Sequence, residues 1–376
     1  KVYSNSLNIS ATGLEEFNLC HFKFFCNSGL KLKNRRRRQI GSLEQGNLIH
    51  QCLENIFGLC KNKEEFDNLT QKQINEIIKK STEEYLECNM GGDIKRTARL
   101  ESNLKRIEEN ILQIVCHLQN ELKQSEFRPI EFEFNINKNG IAFLTADNGI
   151  EIILRGVIDR IDIYENCGEK YIRVIDYKTG KKVFSMSSLL YGINLQMLLY
   201  LFAITGSKGE YSDCDPAGVL YMPSGEIVCG RDRDESGNIN EYLNKHYKMN
   251  GVVLNDRSVL NAMEKDIQGI YIPAKILKGD EGEGELLLNK RSSSCLSSSQ
   301  FKKLREHTEK IIIDVCNELY NGNIDSNPLI MYGSSPCDYC DYWSICGNTP
   351  CEKFREADKN AEEKMLKIIS DEKMKY

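Results

Sequence analysis

No stretch of this 376-residue chain is apolar and long enough to span a membrane, so no helical membrane span is expected. No GxxxxGK(S/T) loop occurs, and any ATP-driven motor is therefore expected outside this chain. No secretory signal pattern opens the sequence. Its first residue is Lys1 rather than Met, which predicts a fragment or a processed product. Positive charge is not in excess: 50 Lys+Arg stand against 55 Asp+Glu, a formal net charge of −5. Any nucleic-acid surface must then be local, with acidity elsewhere. There is no internal repeat, which excludes solenoid and propeller arrays.

What remains is ordinary soluble composition, 40% hydrophobic and 28% charged, in a chain long enough for a sizeable core. Cysteine is plentiful, and its count of 15 is odd. Without a secretory signal these residues read as thiols of a reducing, cytoplasmic compartment, free or bound to metal.

Two short apolar stretches carry the chemistry, LRGVIDRIDIY (154–164) and YIRVIDYKTG (171–180). Each reads as a buried strand. A carboxylate inside such a strand is costly unless a partner offsets its desolvation, and a divalent cation does so. Asp159 and Asp176 on neighbouring strands, with Lys178 two residues beyond, predict a hard-cation site with an ammonium beside it. Mg²⁺ and Mn²⁺ prefer such oxygen ligands and bridge to phosphate oxygens. Lys178 is placed to hold an attacking water and to offset charge on phosphorus. The bland alternative is a surface hairpin with ordinary salt bridges. Arg160 and Asp162 are assigned to it; the tandem of GVIDRID and IDYKTG argues against it for Asp159 and Asp176.

Other candidates are weaker alone. His50 lies on a helix predicted over 44–60, with Gly46 one turn before and Glu54 one turn after. It reads as a further metal ligand with Glu54 as its orienter or a second acid, or equally as a core or surface residue. Gln196 and Tyr200 are one turn apart on a helix predicted near 186–204, where a polar edge on a packed helix is the bland reading. Cys337, Cys340 and Cys346 follow C-x₂-C-x₅-C, which implies a soft metal or cluster needing a fourth ligand, Cys351 locally or Cys20 at a distance. Zinc is the alternative occupant. The run Arg35–Arg38 is a solvated loop or a phosphate-backbone contact.

The period of the chain gives its organisation. Residues 1–26 read as a short helical opening capped by Ser10 or Thr12, 62–126 as charged helices broken at Gly91-Gly92, and 130–136 and 217–223 as strands. A helix near 299–320 precedes the cysteine-rich loop. One α/β domain over 1–376 is expected, with a mixed sheet of about five strands flanked by helices. Its parts are a catalytic core at 41–223 containing the helical insertion 62–126, a polar insertion at 224–300, and cysteine-bearing segments at 1–40 and 325–357.

G-x₃-H-x₃-E at Gly46, His50 and Glu54, then GVIDRID, IDYKTG and Q-x₃-Y at Gln196 and Tyr200, resemble the RecB-type branch of the PD-(D/E)XK nucleases. Cys20 in its N-terminal segment and CDYCDYWSIC sharpen this toward the iron–sulfur nuclease domains of the AddB type, and the likeness covers about 3–357. The resemblance implies that His50, Asp159, Asp176 and the Tyr177 carbonyl bind Mg²⁺, that Lys178 is catalytic, and that Gln196 and Tyr200 complete the site. It implies a 4Fe–4S cluster on Cys20, Cys337, Cys340 and Cys346. It also implies digestion of single-stranded DNA beside an AddA-like helicase–nuclease partner, in double-strand-break repair. One departure is His21, where the family usually has proline. The rivals are a stand-alone RecB-like or CRISPR-adaptation nuclease, and a non-catalytic module that binds DNA ends.

Overall fold

A six-stranded sheet lies at the centre of the molecule, and its strand order brings distant acidic residues into one row. The computed structural model describes residues 6–33, 41–60, 62–90, 97–138, 143–180, 182–206, 208–226, 239–276, 294–347 and 354–370. Arg35–Arg38, Gly91-Gly92, the stretch 279–285 and Cys351 lie outside the described residues.

β1 (Ser6–Ser10) leads into α1 (Ala11–Leu19), where the Ser10 hydroxyl accepts the Gly13 N–H at 3.0 Å and caps the helix. α2 (His21–Phe24) follows. α3 (Ser42–Gly58) buries Ile49, Leu53, Ile56 and Phe57 at the predicted helical spacing. The charged helical stretch forms α4 (Lys63–Asp67), α5 (Gln71–Met90) and α6 (Ala98–Gln124). α6 is capped by Thr97 and buries Ile107, Ile111, Ile114, Leu118 and Leu122 along one stripe.

The strands follow: β2 (Arg128–Asn135), β3 (Leu144–Thr145), β4 (Glu151–Arg155), β5 (Val157–Asn166) and β6 (Glu169–Lys178). Then come α7 (Met186–Leu189), α8 (Gln196–Ile204), β7 (Asp215–Pro223), α9 (Ile239–Tyr247), β8 (Asn250–Leu254), α10 (Arg257–Met263) and β9 (Cys295–Leu296). α11 (Ser298–Tyr320), β10 (Leu329–Ile330), α12 (Trp343–Cys346), β11 (Arg355–Glu356) and α13 (Ala361–Ile369) complete the described elements.

The central sheet runs β2-β5-β6-β7-β8-β9, and a smaller one runs β1-β4-β3. β5 pairs antiparallel with both β2 and β6, while β6 and β7 are parallel, so the sheet is mixed as expected. It has six strands rather than about five. The difference lies in 224–300, whose composition reads as a polar insertion. Short β8 and two-residue β9 extend the sheet from within that segment, but neither is long enough to give a period-2 signal amid polar sequence.

Two more corrections concern breaks. The stretch 154–164 is not one strand: Gly156 separates β4 and β5, which belong to different sheets. The helix expected near 186–204 is two helices, α7 and α8, with Gly192 (φ 69°) and Asn194 (φ 68°) left-handed between them. Arg160 and Asp162 do pair, at 2.8 Å, but they are fully buried rather than on a surface hairpin. No described helix is long and apolar enough to cross a membrane.

Candidate active site

Register sets the site. Arg160 pairs with Ile175 across β5 and β6, so the next step of the antiparallel ladder places Asp159 level with Asp176. On the other side, Glu133 falls between the pairs Phe132–Arg160 and Phe134–Ile158, level with Asp159. Three acids from three adjacent strands thus stand in a row.

Glu133 is not among the residues that the sequence marks out. The alternating IEFEFNI stretch puts it on a half-exposed face, whereas Glu133 Oε1 lies 3.4 Å from His50 Nδ1. Its backbone φ of 45° is left-handed, costly for a residue with a Cβ, and it breaks the alternation. Phe132 stacks on Phe57 of α3 while its neighbour Glu133 also reaches α3 at His50.

His50 Nδ1 is 3.5 Å from Asp159 Oδ1, and His50 Nε2 is 3.0 Å from the Tyr177 carbonyl oxygen. One ligand atom each from His50, Glu133 and Asp159 lies within 4.8 Å of the others. Burial alone would lower the His50 pKa, but its bonds to Asp159 and Glu133 outweigh that and push it up to about 10. Glu54 is exposed and is not among these partners. Gly46 is not sterically obliged either, since a Cβ there would sit 3.6 Å from Thr179 Oγ1, an ordinary contact.

Asp176 is buried, and desolvation first, then the charge of Asp159, pushes its carboxyl up to about 6 against the opposing pull of Lys178 and His50. Lys178 Nζ lies 2.7 Å from Asp176 Oδ2. The contact has the distance of an ion pair without hydrogen-bond angles, and this buried oxygen has no hydrogen-bond partner. Asp159 Oδ2 accepts the Tyr177 N–H at 2.7 Å. Oxygen-rich donors and an imidazole, beside a buried carboxylate paired with an ammonium, are a set that fits a hard divalent cation.

Tyr200 completes this end of the sheet. Its hydroxyl bonds Gln196 one turn earlier and feels the charges of Asp176 and Asp159. Burial, set against the Gln196 bond and reinforced by these carboxylates, pushes its pKa up to about 12, so at neutral pH it keeps its proton and can donate a hydrogen bond. Its ring lies against Gly156, where an added Cβ would sit 2.5 Å from ring atoms Cε1 and Cζ. Sequence reasoning passes over Gly156; a glycine inside an apolar strand is the available signal. Glu15 of α1 accepts the Gln196 N–H at 3.2 Å, which ties the N-terminal segment to the same site.

The cysteines lie elsewhere. Cys20, Cys337, Cys340 and Cys346 line one cavity of about 800 Å³, together with Lys23, Tyr339 and Trp343. None of the described cysteines is in a disulfide. A fifth, Cys26, is buried nearby; burial raises its thiol pKa, and Cys340, Cys346 and Cys20 add to the shift. Four thiols on the walls of one cavity are the donor set that an iron–sulfur cluster takes, although no three described cysteine sulfurs lie within the 4.8 Å at which one ion could be shared. The two ends of the chain are joined there by the Phe22 N–H to the Asp325 carbonyl (3.1 Å) and the His21 N–H to Asn327 Oδ1 (3.3 Å). Proline has no N–H to donate, and His21 also stacks on Phe17 at 4.0 Å, so the departure at 21 has a local use.

The chain is similar to the ATP-dependent helicase/deoxyribonuclease B subunit of Clostridium acetobutylicum, 30% identical over 396 residues, covering 99% of this chain and 33% of that protein. It is likewise similar to the protein of the same name from Clostridioides difficile, 30% identical over 395 residues, covering 97% of this chain and 32% of the relative. The chain thus spans about a third of the length of the curated relatives it matches. The family model of the PD-(D/E)XK nuclease superfamily matches residues 8–347, nearly the whole of the sheet and its surrounding helices, and it is to this superfamily that the chain belongs.

Proposed function

We propose that this chain hydrolyses phosphodiester bonds of single-stranded DNA, exonucleolytically, in a reaction that depends on Mg²⁺ or Mn²⁺. It would act as the nuclease part of a bacterial helicase–nuclease in double-strand-break repair and recombination, with an AddA-like partner supplying further motor activity. The observation that carries this reading is the meeting of His50, Glu133, Asp159 and the Tyr177 carbonyl, with the Asp176–Lys178 ion pair on the adjoining strand. The name shared by the relatives supports the choice of DNA and of a helicase context.

His50, Asp159, Asp176 and the Tyr177 carbonyl, with Glu133, would hold the cation. When bound, a divalent cation supplies Lewis-acid polarisation of the phosphoryl group and a lower pKa for a coordinated water. Lys178 Nζ donates hydrogen bonds to the attacking water and to a non-bridging phosphate oxygen, offsetting negative charge on the pentavalent phosphorus. Tyr200, protonated and oriented by Gln196, donates to the phosphate backbone. Water is the nucleophile: its oxygen bonds to phosphorus as a P–O ester bond breaks, and the released oxygen takes up a proton. Cys20, Cys337, Cys340 and Cys346 would hold a 4Fe–4S cluster as a staple between the chain's two ends.

The test is digestion of single-stranded DNA by the purified chain with Mg²⁺, Mn²⁺ or EDTA, alongside Lys178→Ala. Metal-dependent product from the parent protein and none from the variant is expected, with both equally folded. Undiminished digestion by Lys178→Ala would remove that lysine from the reaction. No digestion by either with any metal would leave a DNA-end-binding module.

A further inference from the structure

Behind the acidic row lies a second charged assembly, and it is entirely buried. Arg160 of β5 donates from Nε and Nη2 to the two oxygens of Asp162, both at 2.8 Å. Arg173 of β6 donates from Nε to Asp162 Oδ2 at 2.8 Å and from Nη2 to Glu121 Oε1 at 2.6 Å. Arg160 Nη2 reaches Glu121 Oε2 at 3.3 Å. Two guanidinium groups and two carboxylates thus close a neutral quartet in which every side chain is at most 1% exposed. The Nη1 of Arg173 has no hydrogen-bond partner, and its guanidinium lies over the Phe127 ring, 4.8 Å from the centroid. Glu121 comes from α6, so the quartet joins the helical arm to the two catalytic strands.

Such a quartet is a weak stabiliser, because apolar residues of similar volume hold a core as well without the desolvation. Its position suggests another use. Side chains alternate along a strand, so Arg160 points away from the face of Asp159, and Tyr177 away from the face of Asp176. The remaining Arg160 nitrogen, Nη1, donates to the Tyr177 hydroxyl at 3.2 Å. Tyr177 is consequently held at three points: its hydroxyl by Arg160, its N–H by Asp159 and its carbonyl by His50. The carbonyl is a main-chain group beside His50, and it has no side-chain rotamer with which to adjust.

We propose that Arg160 is a positioning residue: clamped by Asp162 and Glu121, it grips the Tyr177 hydroxyl and so fixes the Tyr177 carbonyl and the Asp159 carboxylate at cation-binding separation. The inference rests on the metal-dependent reading above. It makes α6 part of the metal site's support, although α6 contributes no ligand. A rearrangement of the helical arm would then be felt as a change in metal affinity.

The experiment is Mn²⁺ binding to the whole chain, followed by calorimetry and by the loss of free-Mn²⁺ paramagnetic resonance signal, without DNA. Tyr177→Phe deletes only the hydroxyl that Arg160 grips; Glu121→Gln loosens the clamp from the far side. Each is expected to weaken Mn²⁺ binding about tenfold, the usual scale for groups that orient ligands, with cooperative melting retained. Digestion by Tyr177→Phe should recover toward the parent rate at saturating Mn²⁺. Unchanged Mn²⁺ affinity in a folded Tyr177→Phe protein overturns the proposal, even if its melting temperature falls. If Glu121→Gln fails to fold, Tyr177→Phe decides alone. Absence of Mn²⁺ binding by the parent chain would overturn the metal reading itself, an outcome distinct from equal binding by parent and variant.

Discussion

His50 Nδ1 lies 3.5 Å from Asp159 Oδ1, and the ring sits between the carboxylates that would share a cation. Against the pull of burial, its bonds to Asp159 and Glu133 raise its pKa to about 10, so the cation-free site holds an imidazolium near neutral pH. A metal ligand must be unprotonated, so metal binding has to expel that proton. Mg²⁺ affinity should therefore tighten as pH rises, by about tenfold per unit between about pH 7 and 9, and level off near the His50 pKa. Calorimetry in buffers of different ionisation enthalpy should count about one proton released per site. A pH-independent affinity over this range would refute the imidazolium stand-in.

Asp176 titrates in the opposite context. Desolvation, then Asp159, raises its folded-state pKa to about 6, above the unfolded carboxylate value of about 3.9. A raised folded pKa contributes stability below the unfolded value and loses it as pH rises through the folded one. At neutral pH the ionised Asp176 is therefore a cost to the cation-free fold. Asp176→Asn should abolish cleavage and yet stabilise the protein at about pH 7, by roughly 1–3 kcal/mol. The difference in melting temperature should shrink as pH falls through about 6 toward about 3, where the carboxyl is largely protonated in both states. A variant less stable than the parent at neutral pH would contradict this account of the buried carboxylate.

The part of the site legible in the sequence is the part where a residue violates its local context. Asp159 and Asp176 stand out because a carboxylate in an apolar strand requires a partner. Glu133 obeys its context, a charged residue in an alternating strand, and only the pairing with β5 and its left-handed backbone bring it to His50. Glu121 is one of many charges on α6, and nothing local marks it as the buried one. The outer strands β8 and β9 are too short to carry a period and are defined by the strands they join. The cysteine spacing points to the shared cavity of Cys20 with Cys337, Cys340 and Cys346 only with help from a resemblance, because the segments meet across the whole chain.

Gly156 should be as intolerant of change as a ligand. Its missing Cβ is the space into which the Tyr200 ring packs, with Cε1 and Cζ 2.5 Å from where that Cβ would be. Gly156→Ala must push the ring away from Asp159 and Asp176 or shift β5. A loss of about 1–3 kcal/mol in stability is expected from overpacking, together with at least about a tenfold fall in cleavage rate. Removing the ring removes the clash, so Gly156→Ala with Tyr200→Ala should be more stable than the two single losses added together predict. Additive losses in that cycle would show that the glycine serves another purpose.

Trp343, the one tryptophan of the chain, reports on the cysteine cavity. It is half-exposed and lines the cavity together with Cys20, Cys337, Cys340 and Cys346. An iron–sulfur cluster absorbs broadly through the near-ultraviolet and visible, overlapping indole emission, and quenches it efficiently at contact range. Zinc is d¹⁰ and has no such absorbance. Anaerobically purified protein should therefore be coloured and weakly fluorescent, and chelation of the iron should raise Trp343 emission severalfold while colour is lost. Cys20→Ala should give bright, colourless protein, because the three remaining thiols belong to one loop and the fourth comes from the other end of the chain. Its melting temperature should also fall, since the cross-link between the two ends constrains a long loop of the unfolded chain. Bright emission with stoichiometric zinc in the parent protein would replace iron with zinc, and leave the acidic row of Glu133, Asp159 and Asp176 untouched.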